Sequence, residues 1–382
     1  MRYPLQKLEY VAQNDSLYIC QGELIYRFEA STGELLHQSR SSSKAEEPST
    51  KKVKADPSDL DLNAFRTLKC SPNGKHIVTT TDEQKELIMF DSEELTVTFS
   101  RKLPKRPSAI FIAGDNSTVL VGDKFGDVYS FPLNLNVVHS DVIKNSIDTI
   151  STDPILGHVS MLVDVIMTPD YLGKKYIITS DRDEHIRISC YPQAYIIERF
   201  CFGHEQFVSS LTIPSWAPTT LLSAGGDDFI AKWNWTTGKL VEKIDLKRIR
   251  NSASNDLEYE GSAELAISGI WQVSEFHIIL AFDENTNRLL VFKIEDITVY
   301  LGSYNCDLVD LTMTGSEGRG WMSLENSTEQ LKKFQIFPDG KIQLSSDKIS
   351  KKISSQCLVE VENLERMAGL HNIKLLRKHA EH

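Results

Sequence analysis

Two sets of histidine, hydroxyl and carboxylate residues have the types that hydrolases use for nucleophilic catalysis. The first set is His204, Ser223 and Asp227, followed by Trp233, and the second is His158, Thr179 and Asp183. A hydroxyl can attack a carbonyl when a histidine removes its proton and a carboxylate orients that histidine. Taken singly, either set is compatible with a catalytic triad.

The repetition of the two sets favours a structural role instead. Each set begins with a Gly-His pair, at 157–158 and at 203–204, so the period is 46 residues. That period is close to the ~40–45 residues of a WD-repeat blade. In such a blade the histidine, the hydroxyl, a turn aspartate and a tryptophan form a buried hydrogen-bond chain; in the set that begins at His158, Ser189 stands where the tryptophan would be. We therefore expect all seven residues to be structural and the chain to have no catalytic residue.

The rest of the chain alternates short strand-like runs with turn sequences, as is typical of an all-β fold. Short runs rich in Val, Ile, Tyr and Phe, such as HIVTT, TVLVG and RLLVFKI, are bounded by turn sequences such as SPNG and FPDG. Counting outwards from the two clear repeats gives weaker blades at about 5–40, 61–102, 103–140, 260–300 and 301–345. The prediction is a seven-bladed WD-repeat β-propeller over residues 1–345, because a closed ring protects its sheet edges.

Two segments do not fit the blades. Residues 41–60 are rich in Ser, Lys, Glu and Pro, which predicts a disordered insertion between blades one and two. Within it, Lys51, Lys52 and Lys54 are compatible with a nuclear signal or with a solvated charge run. Residues 346–382 are predicted to be a partly helical C-terminal extension that packs locally or docks on a partner. Its apolar residues at three-residue steps are Leu364, Met367, Leu370 and Ile373.

Composition and motifs exclude several classes of function. The net charge of −11 argues against nucleic-acid binding over the whole surface. The six cysteines are scattered without zinc spacing and are read as reduced intracellular thiols. No apolar run reaches the roughly 18 residues that span a bilayer. No phosphate-binding loop, dinucleotide-binding turn or nucleophile elbow occurs, and the acidic groups at 181–184 and 227–228 fall in turns, so we predict no cofactor and no metal on this chain.

One dense basic group stands out on this acidic chain. It consists of Arg101, Lys102, Lys105 and Arg106, with Pro104 and Pro107 beside it. Clustered cations of this kind attract RNA phosphate or an acidic protein surface. A solvated loop without a partner is the alternative reading.

Several sequence blocks go beyond a generic repeat. They are KRPSAIFIA, VGDKFGDVYSF, PILGHVSMLVDV, IITSDRDEHIRISCYPQ, FGHEQFVSS, LLSAGGDDFIAKWNWTTGK and the terminal LLRKHAEH. Together they resemble the non-catalytic WD-repeat subunit of the eukaryotic tRNA (guanine-N7)-methyltransferase, in a fungal-type version, most strongly over residues 103–240.

The resemblance implies a heterodimer in which this chain is an accessory subunit rather than the enzyme. The chain would bind, stabilise and position a separate catalytic subunit, which binds S-adenosylmethionine and forms N7-methylguanosine at position 46 of tRNA. It would carry no cofactor of its own, would meet tRNA mainly through the partner and would have no membrane association. The expected location is nuclear, or nuclear and cytoplasmic.

The resemblance also points to residues for partner binding. It implies that Arg187, in SDRDEHIRIS, forms a salt bridge with an acidic side chain of the catalytic subunit. An arginine fork can hold a carboxylate with two hydrogen bonds, and such pairs fix orientation and partner choice. Alternatively, Arg187 caps its own blade or pairs with Asp181 or Glu184. Further candidates for the same surface are Lys124 in DKFGD and Arg182, Glu184 and His185.

A second function remains open on the sequence alone. Propellers also serve as generic interaction scaffolds, for example as ubiquitin-ligase substrate receptors or as peptide-binding or chromatin-binding modules, because a fold does not fix a function. The blocks around Lys124 and Arg187 favour the accessory methyltransferase subunit.

Overall fold

The chain forms a ring of seven four-stranded antiparallel sheets around a central channel. The computed structural model describes residues 3–41, 63–133, 153–253, 264–315, 317–325, 329–359 and 373–377. Within these ranges each sheet contains four consecutive strands. The predicted all-β seven-bladed β-propeller is therefore confirmed.

The first three blades occupy the N-terminal part of the chain. Blade one contains β1 (Lys7–Val11), β2 (Ser16–Gln21), β3 (Leu24–Glu29) and β4 (Leu35–Arg40). Blade two contains β5 (Phe65–Cys70), β6 (His76–Thr81), β7 (Glu86–Asp91) and β8 (Val97–Lys102). Blade three contains β9 (Pro107–Ile112), β10 (Thr118–Asp123), β11 (Asp127–Pro132) and β12 (Leu156–Gly157).

The last four blades follow in order, with a short helix, α1 (Leu246–Ala253), after the fifth. Blade four contains β13 (Leu162–Met167), β14 (Lys175–Asp181), β15 (Ile186–Tyr191) and β16 (Ile197–Cys201). Blade five contains β17 (Val208–Thr212), β18 (Thr220–Gly225), β19 (Phe229–Asn234) and β20 (Lys239–Asp245). Blade six contains β21 (Ile267–Val273), β22 (Ile278–Asp283), β23 (Arg288–Ile294) and β24 (Thr298–Asn305). Blade seven contains β25 (Leu308–Met313), β26 (Arg319–Leu324), β27 (Leu331–Ile336) and β28 (Ile342–Ser345).

The core lies between neighbouring blades, and the middle strands supply most of it. Strands β2, β10 and β22 are buried at every position, whereas β4 on the outer edge is largely exposed. A strand that is covered on both faces needs apolar residues on both, so these runs are nearly continuous rather than alternating.

The outer strand of blade three differs from the sequence expectation. The predicted blade ended at about residue 140, but its fourth strand is β12, which pairs Leu156 with Val128 and Gly157 with Asp127. The Gly-His pair at 157–158 therefore completes blade three before the chain enters blade four. A two-residue strand has no periodicity that a sequence could reveal.

Acidic side chains on three innermost strands tie neighbouring blades together along the channel. Glu9 accepts the backbone N–H of Cys70 at 3.2 Å. Asp164 and Asp310 accept those of Leu211 at 2.8 Å and Leu8 at 2.9 Å. These bonds join blade one to two, four to five and seven to one.

The ring closes without a strand shared between its first and last blades. After β28 the helix α2 (Lys348–Gln356) crosses from blade seven to blade one. Its Lys352 Nζ and Gln356 Nε2 donate to the carbonyls of Thr32 and Gly33, both at 3.1 Å. Ile353 is fully buried in a cluster with Leu5, Leu8, Trp321 and their neighbours. The helix thus replaces a shared strand as the closing element.

Some expectations fall outside the described residues. These are the insertion at 42–60 with Lys51, Lys52 and Lys54, and the positions Leu364, Met367 and Leu370 of the C-terminal extension. Within the described part of the chain, no helix has the length and apolar character needed to cross a membrane.

Candidate partner-binding face

In blade five the structure joins the four predicted structural residues in one chain of hydrogen bonds. His204 Nδ1 lies 2.7 Å from Asp227 Oδ2, and His204 Nε2 lies 2.7 Å from Ser223 Oγ. Trp233 Nε1 donates to the same hydroxyl at 2.8 Å. All four side chains are buried. The hydroxyl is therefore buried between an imidazole and an indole.

Blade four contains a shorter version of this network, with one correction to the sequence prediction. His158 Nε2 lies 2.7 Å from Thr179 Oγ1, but its Nδ1 lies 2.9 Å from Asp181 rather than from Asp183. The other carboxylate oxygen of Asp181 accepts the backbone N–H groups of Asp183 at 2.9 Å and His185 at 3.0 Å. Because Asp181 is the last residue of β14, these turn bonds hold its side chain towards the histidine.

The same arrangement recurs in other blades. Asp123 ends β10 and accepts the N–H groups of Phe125 at 2.8 Å and Asp127 at 3.1 Å. Asp283 ends β22 and accepts that of Asn285 at 3.2 Å. Blade five is the exception, because there the carboxylate of Asp227 follows a Gly-Gly pair and lies two residues beyond the end of the strand. The spacing in blade five pointed to Asp183 in blade four, whereas the carboxylate at the end of the strand is Asp181.

Arg187 lies inside blade four instead of projecting from the surface. Its Nε donates to Ser189 Oγ at 2.9 Å, its Nη1 to the carbonyl of Gly157 at 2.9 Å and its Nη2 to that of Ala194 at 3.2 Å. The residue is 7% exposed, and burial lowers the pKa of its guanidinium. Arg187 therefore caps its own blade, in the space that Ser189 leaves where a tryptophan would stand.

Arg187 does not form the predicted internal ion pairs. Among the described residues, Asp181 pairs instead with His158 at 2.9 Å and with His185 at 3.3 Å. The guanidinium thus has neutral acceptors, but it has no carboxylate partner within the described part of the chain.

The turns and loops at one end of blades three and four form a continuous surface. Because strands alternate in direction, the turn between the second and third strands and the loop into the next blade emerge at the same end of the ring. His158 N donates to the carbonyl of Gly126 at 2.9 Å, and Arg182 N donates to that of Met161 at 2.9 Å. The His185 ring lies 6.4 Å from the Phe200 ring. We call residues 124–126, 158–161, 182–185 and 200–202 the blade three–four face.

Three large apolar side chains are exposed on this face. Phe125 is 63% exposed, Phe202 is 69% exposed and Val159 is fully exposed. Phe202 is held in place by stacking on Phe200, with ring centroids 5.2 Å apart. At the close approach of the two loops, Gly126 has a φ of +99°, and any Cβ there would collide with the His158 carbonyl. Clustered exposed apolar side chains of this kind mark a docking surface.

The predicted basic residues reach this face only in part. Lys105 Nζ lies 4.0 Å above the Phe125 ring, and the neighbouring Lys124 has its pKa lowered by burial and by Arg66 and Arg106. Arg106 is neutralised by Asp82 at 2.9 Å and Glu83 at 2.8 Å. Arg101 and Lys102 end the outer strand β8, opposite Leu87 and Glu86.

The remaining predicted residues lie in the turn between β14 and β15. Glu184 takes a left-handed conformation with a φ of +64°. The side chain of His185 is partly exposed beside Phe200. Arg182 Nε donates to the carbonyl of Leu376 at 2.8 Å, a contact with the C-terminal extension that sequence reasoning missed. Within the described residues, no group of three or more His, Cys, Asp or Glu side chains is placed to hold a metal ion.

Solved structures of low sequence identity match the fold. A chain of the structure titled "Crystal Structure of Mitotic Checkpoint Complex" superposes with a TM-score of 0.64 at 13% identity, covering 88% of this chain and 90% of that one. A chain of "Structure of U3-55K" gives a TM-score of 0.63 at 12% identity, with coverage of 86% and 90%. At these identities the likeness concerns the propeller fold alone.

Sequence relatives are much closer. One from Kluyveromyces lactis is 34% identical over 83% of this chain and 77% of its own length, and one from Debaryomyces hansenii is 35% identical over 84% and 76%. One from Saccharomyces cerevisiae is 32% identical over 83% and 76%. All three are named "tRNA (guanine-N(7)-)-methyltransferase non-catalytic subunit TRM82".

A family model identifies the group to which these sequences belong. The model described as "tRNA methyltransferase TRM82 WD40 domain" matches residues 26–148 and 139–330, which together cover most of the chain. The match includes blades two to six and therefore the whole blade three–four face. The chain belongs to the TRM82 family of non-catalytic tRNA (guanine-N7)-methyltransferase subunits.

Proposed function

We propose that this chain binds and stabilises a catalytic tRNA (guanine-N7)-methyltransferase through its blade three–four face. The observation that carries the proposal is the continuous surface on which Phe125, Val159 and Phe202 are exposed next to Lys105 and Lys124. The partner binds S-adenosylmethionine and forms N7-methylguanosine at position 46 of tRNA. This chain holds no cofactor and meets tRNA mainly through the partner, in the nucleus or in both nucleus and cytoplasm.

The composition of the face fits a stable protein interface. Aromatic side chains that are already held in one conformation contribute most to binding, because little side-chain entropy is lost when they are covered. Stacking holds Phe202, and Lys105 covers one side of the Phe125 ring. The surrounding cations favour an acidic partner surface, which sets orientation and speeds association.

Arg187 lies beneath this face and holds one of its loops in place. Its Nη1 holds the carbonyl of Gly157, two residues before Val159, so it fixes the loop that presents that side chain. A guanidinium that is buried among neutral acceptors is costly unless an opposite charge is near. We therefore propose that a carboxylate of the catalytic subunit approaches the Gly157 loop and completes an ion pair with Arg187.

Val159→Glu tests the location of the interface. The exposed side chain gives up little packing, so the propeller should remain folded, whereas a charge within the covered surface should weaken binding at least about tenfold. The matched control is Ile297→Glu, because Ile297 is 74% exposed on blade six, away from the face. Affinity for the purified methyltransferase is measured by calorimetry, and folding by thermal unfolding.

Two results would overturn the proposal. If the Val159→Glu chain and the wild type bound the methyltransferase with equal affinity, the blade three–four face would not be the interface. Recovery of a ubiquitin-ligase adaptor, and of no methyltransferase, by the wild-type chain from cells would show a generic scaffold instead.

A further inference from the structure

The C-terminal segment at residues 373–377 lies across one end of blades four, five and six. Ile373 N donates to Glu284 Oε2, in the turn after β22, at 3.2 Å. The carbonyl of Leu376 accepts Arg182 Nε, in the turn after β14, at 2.8 Å. Arg377 Nη2 donates to the carbonyl of Gly226, in the turn after β18, at 2.6 Å. One short segment thus contacts the equivalent turn of three successive blades.

Arg377 contacts more residues of the ring than Ile373 or Leu376 does in these bonds. Besides Gly226, its Nη2 donates to the carbonyl of Leu265 at 2.9 Å, and its Nε lies 2.7 Å from Glu264 Oε2. The side chain is only 11% exposed. The guanidinium therefore contacts two carbonyls and one carboxylate, an arrangement that its rigid fork of donors matches and that a lysine ammonium does not.

The backbone carbonyls that accept hydrogen bonds from Arg377 belong to loops that other residues of the ring hold in place. Gly226 packs on the Phe207 ring so closely that a Cβ would lie 2.6 Å from the ring, and its N–H donates to the carbonyl of Phe207 at 2.9 Å. On the other side, Asp283 fixes the loop before β21 by accepting the N–H of Ala266 at 3.0 Å. The Gly226 and Leu265 carbonyls are thus held in part by contacts of the ring itself, and the bonds from Arg377 add to these contacts.

We propose that these turns form a peptide-binding site for a short segment carrying an arginine, and that residues 373–377, which begin with a 3-10 turn at Ile373–Leu376, are its ligand within this chain. The site comprises Arg182, Gly226, Glu264, Leu265 and Glu284. Its acidic side chains and carbonyls recognise the guanidinium and a backbone N–H, while Arg182 recognises a backbone carbonyl. Filling the site also fixes Arg182, which belongs to the blade three–four face. This second role rests on the proposed function.

Peptide binding to a full-length variant tests the site directly. In the Arg377→Ala chain the internal ligand is weakened, so a labelled peptide of residues 372–382 should bind it saturably, as measured by fluorescence anisotropy. The same peptide with alanine at 377 should bind at least about tenfold more weakly, and lysine there should restore only part of the affinity. The matched control chain is Arg319→Ala, because Arg319 is exposed on blade seven and, among the described residues, its salt bridge is with Glu317.

Hydrogen exchange in the free chain and partner affinity then separate the two proposals. Arg377→Ala should speed backbone exchange at residues 182–185 and 226–228 and weaken methyltransferase binding several-fold, whereas Arg319→Ala should change neither. Equal binding of both peptides, or unchanged exchange at these turns, would overturn the site. Faster exchange with unchanged partner affinity would overturn its role in positioning Arg182. Failure of the wild-type chain to bind the methyltransferase would count against the proposed function, and the peptide and exchange results would stand.

Discussion

Asp181 links the turn after β14 to the histidine network of blade four. Burial alone would raise the pKa of its carboxyl group, but hydrogen bonds from His158 and from the backbone of His185 hold that pKa below its ordinary value. A carboxylate that is stabilised in this way contributes to folding only while it is ionised. Its contribution is fully present above the pKa of the unfolded chain and is lost as the pH falls through the folded value.

Asp181→Asn should lower the free energy of unfolding by about 2 kcal/mol at neutral pH, because the charge-assisted hydrogen bonds are lost while the turn remains buried. Asp183→Asn, two residues along the same turn, is the control and should cost less. Urea unfolding measures both. The difference in free energy of unfolding between wild type and Asp181→Asn should decrease as the pH falls below about 4. A larger loss for Asp183→Asn would show that the network uses the other carboxylate.

The helix α2 is the element that closes the ring. Asp347 caps its N-terminus by accepting the N–H of Ser350 at 2.8 Å, and Ile353 points from the helix into the cluster between blades seven and one. A capped helix begins at a defined residue, so the cap also sets where Ile353 enters the cluster. The short helix depends on this packing, since isolated helices of its length are unstable in water.

Ile353→Ala should lower the free energy of unfolding by about 2–5 kcal/mol, because it leaves a cavity where two blades meet. Ser355→Ala, on the exposed side of the same helix, serves as the control for helix propensity and should change stability by less than about 0.5 kcal/mol. Thermal and urea unfolding report both. If Ile353→Ala proved as mild as Ser355→Ala, the helix would be a passive appendage and not the closing element.

The elements differ in how far the sequence could predict them. His158 and His204 recur with blade spacing, so the repeat and the ring of seven sheets could be predicted from the sequence pattern alone. Strand β12 was missed because Leu156 and Gly157 show no periodicity. The role of Asp181 depends on which way a turn directs its side chain, and that of Arg187 depends on distant carbonyls, at Gly157 and Ala194, that its strand β15 brings within reach. The contacts of Arg377 span 151 and 112 residues and leave no local signal.

At the scale of the whole molecule, the channel collects acidic side chains from several blades. Burial raises the pKa of Asp164 to about 6, although the N–H groups of Leu211 and Val165 oppose that shift. Burial likewise raises the pKa of Glu9. A carboxyl group with a raised pKa binds its proton more tightly in the folded chain, so its ionisation disfavours folding.

The stability of the ring should therefore depend on Asp164 between about pH 4 and pH 6. Relative to an Asp164→Asn chain, the wild type should lose free energy of unfolding as the pH rises through this window, and the difference should be constant above about pH 7. Urea unfolding at pH 4.5 and pH 7.5 checks the direction. Asp310→Asn is the comparison at the junction of blades seven and one. A wild-type advantage over Asp164→Asn that grows with pH would contradict the assignment.

Every blade consists of consecutive strands, and this has a consequence for the order of folding during synthesis. Each sheet can pair as soon as its own strands leave the ribosome, because its contacts are local. The bonds from Leu8 N and Tyr10 N to Asp310 and Thr312 each span 302 residues, and Val359 N bonds Gln21 across 338. The innermost strand of the first blade to be made must therefore wait, with one side uncovered, until the last blade and the helix after it have been translated.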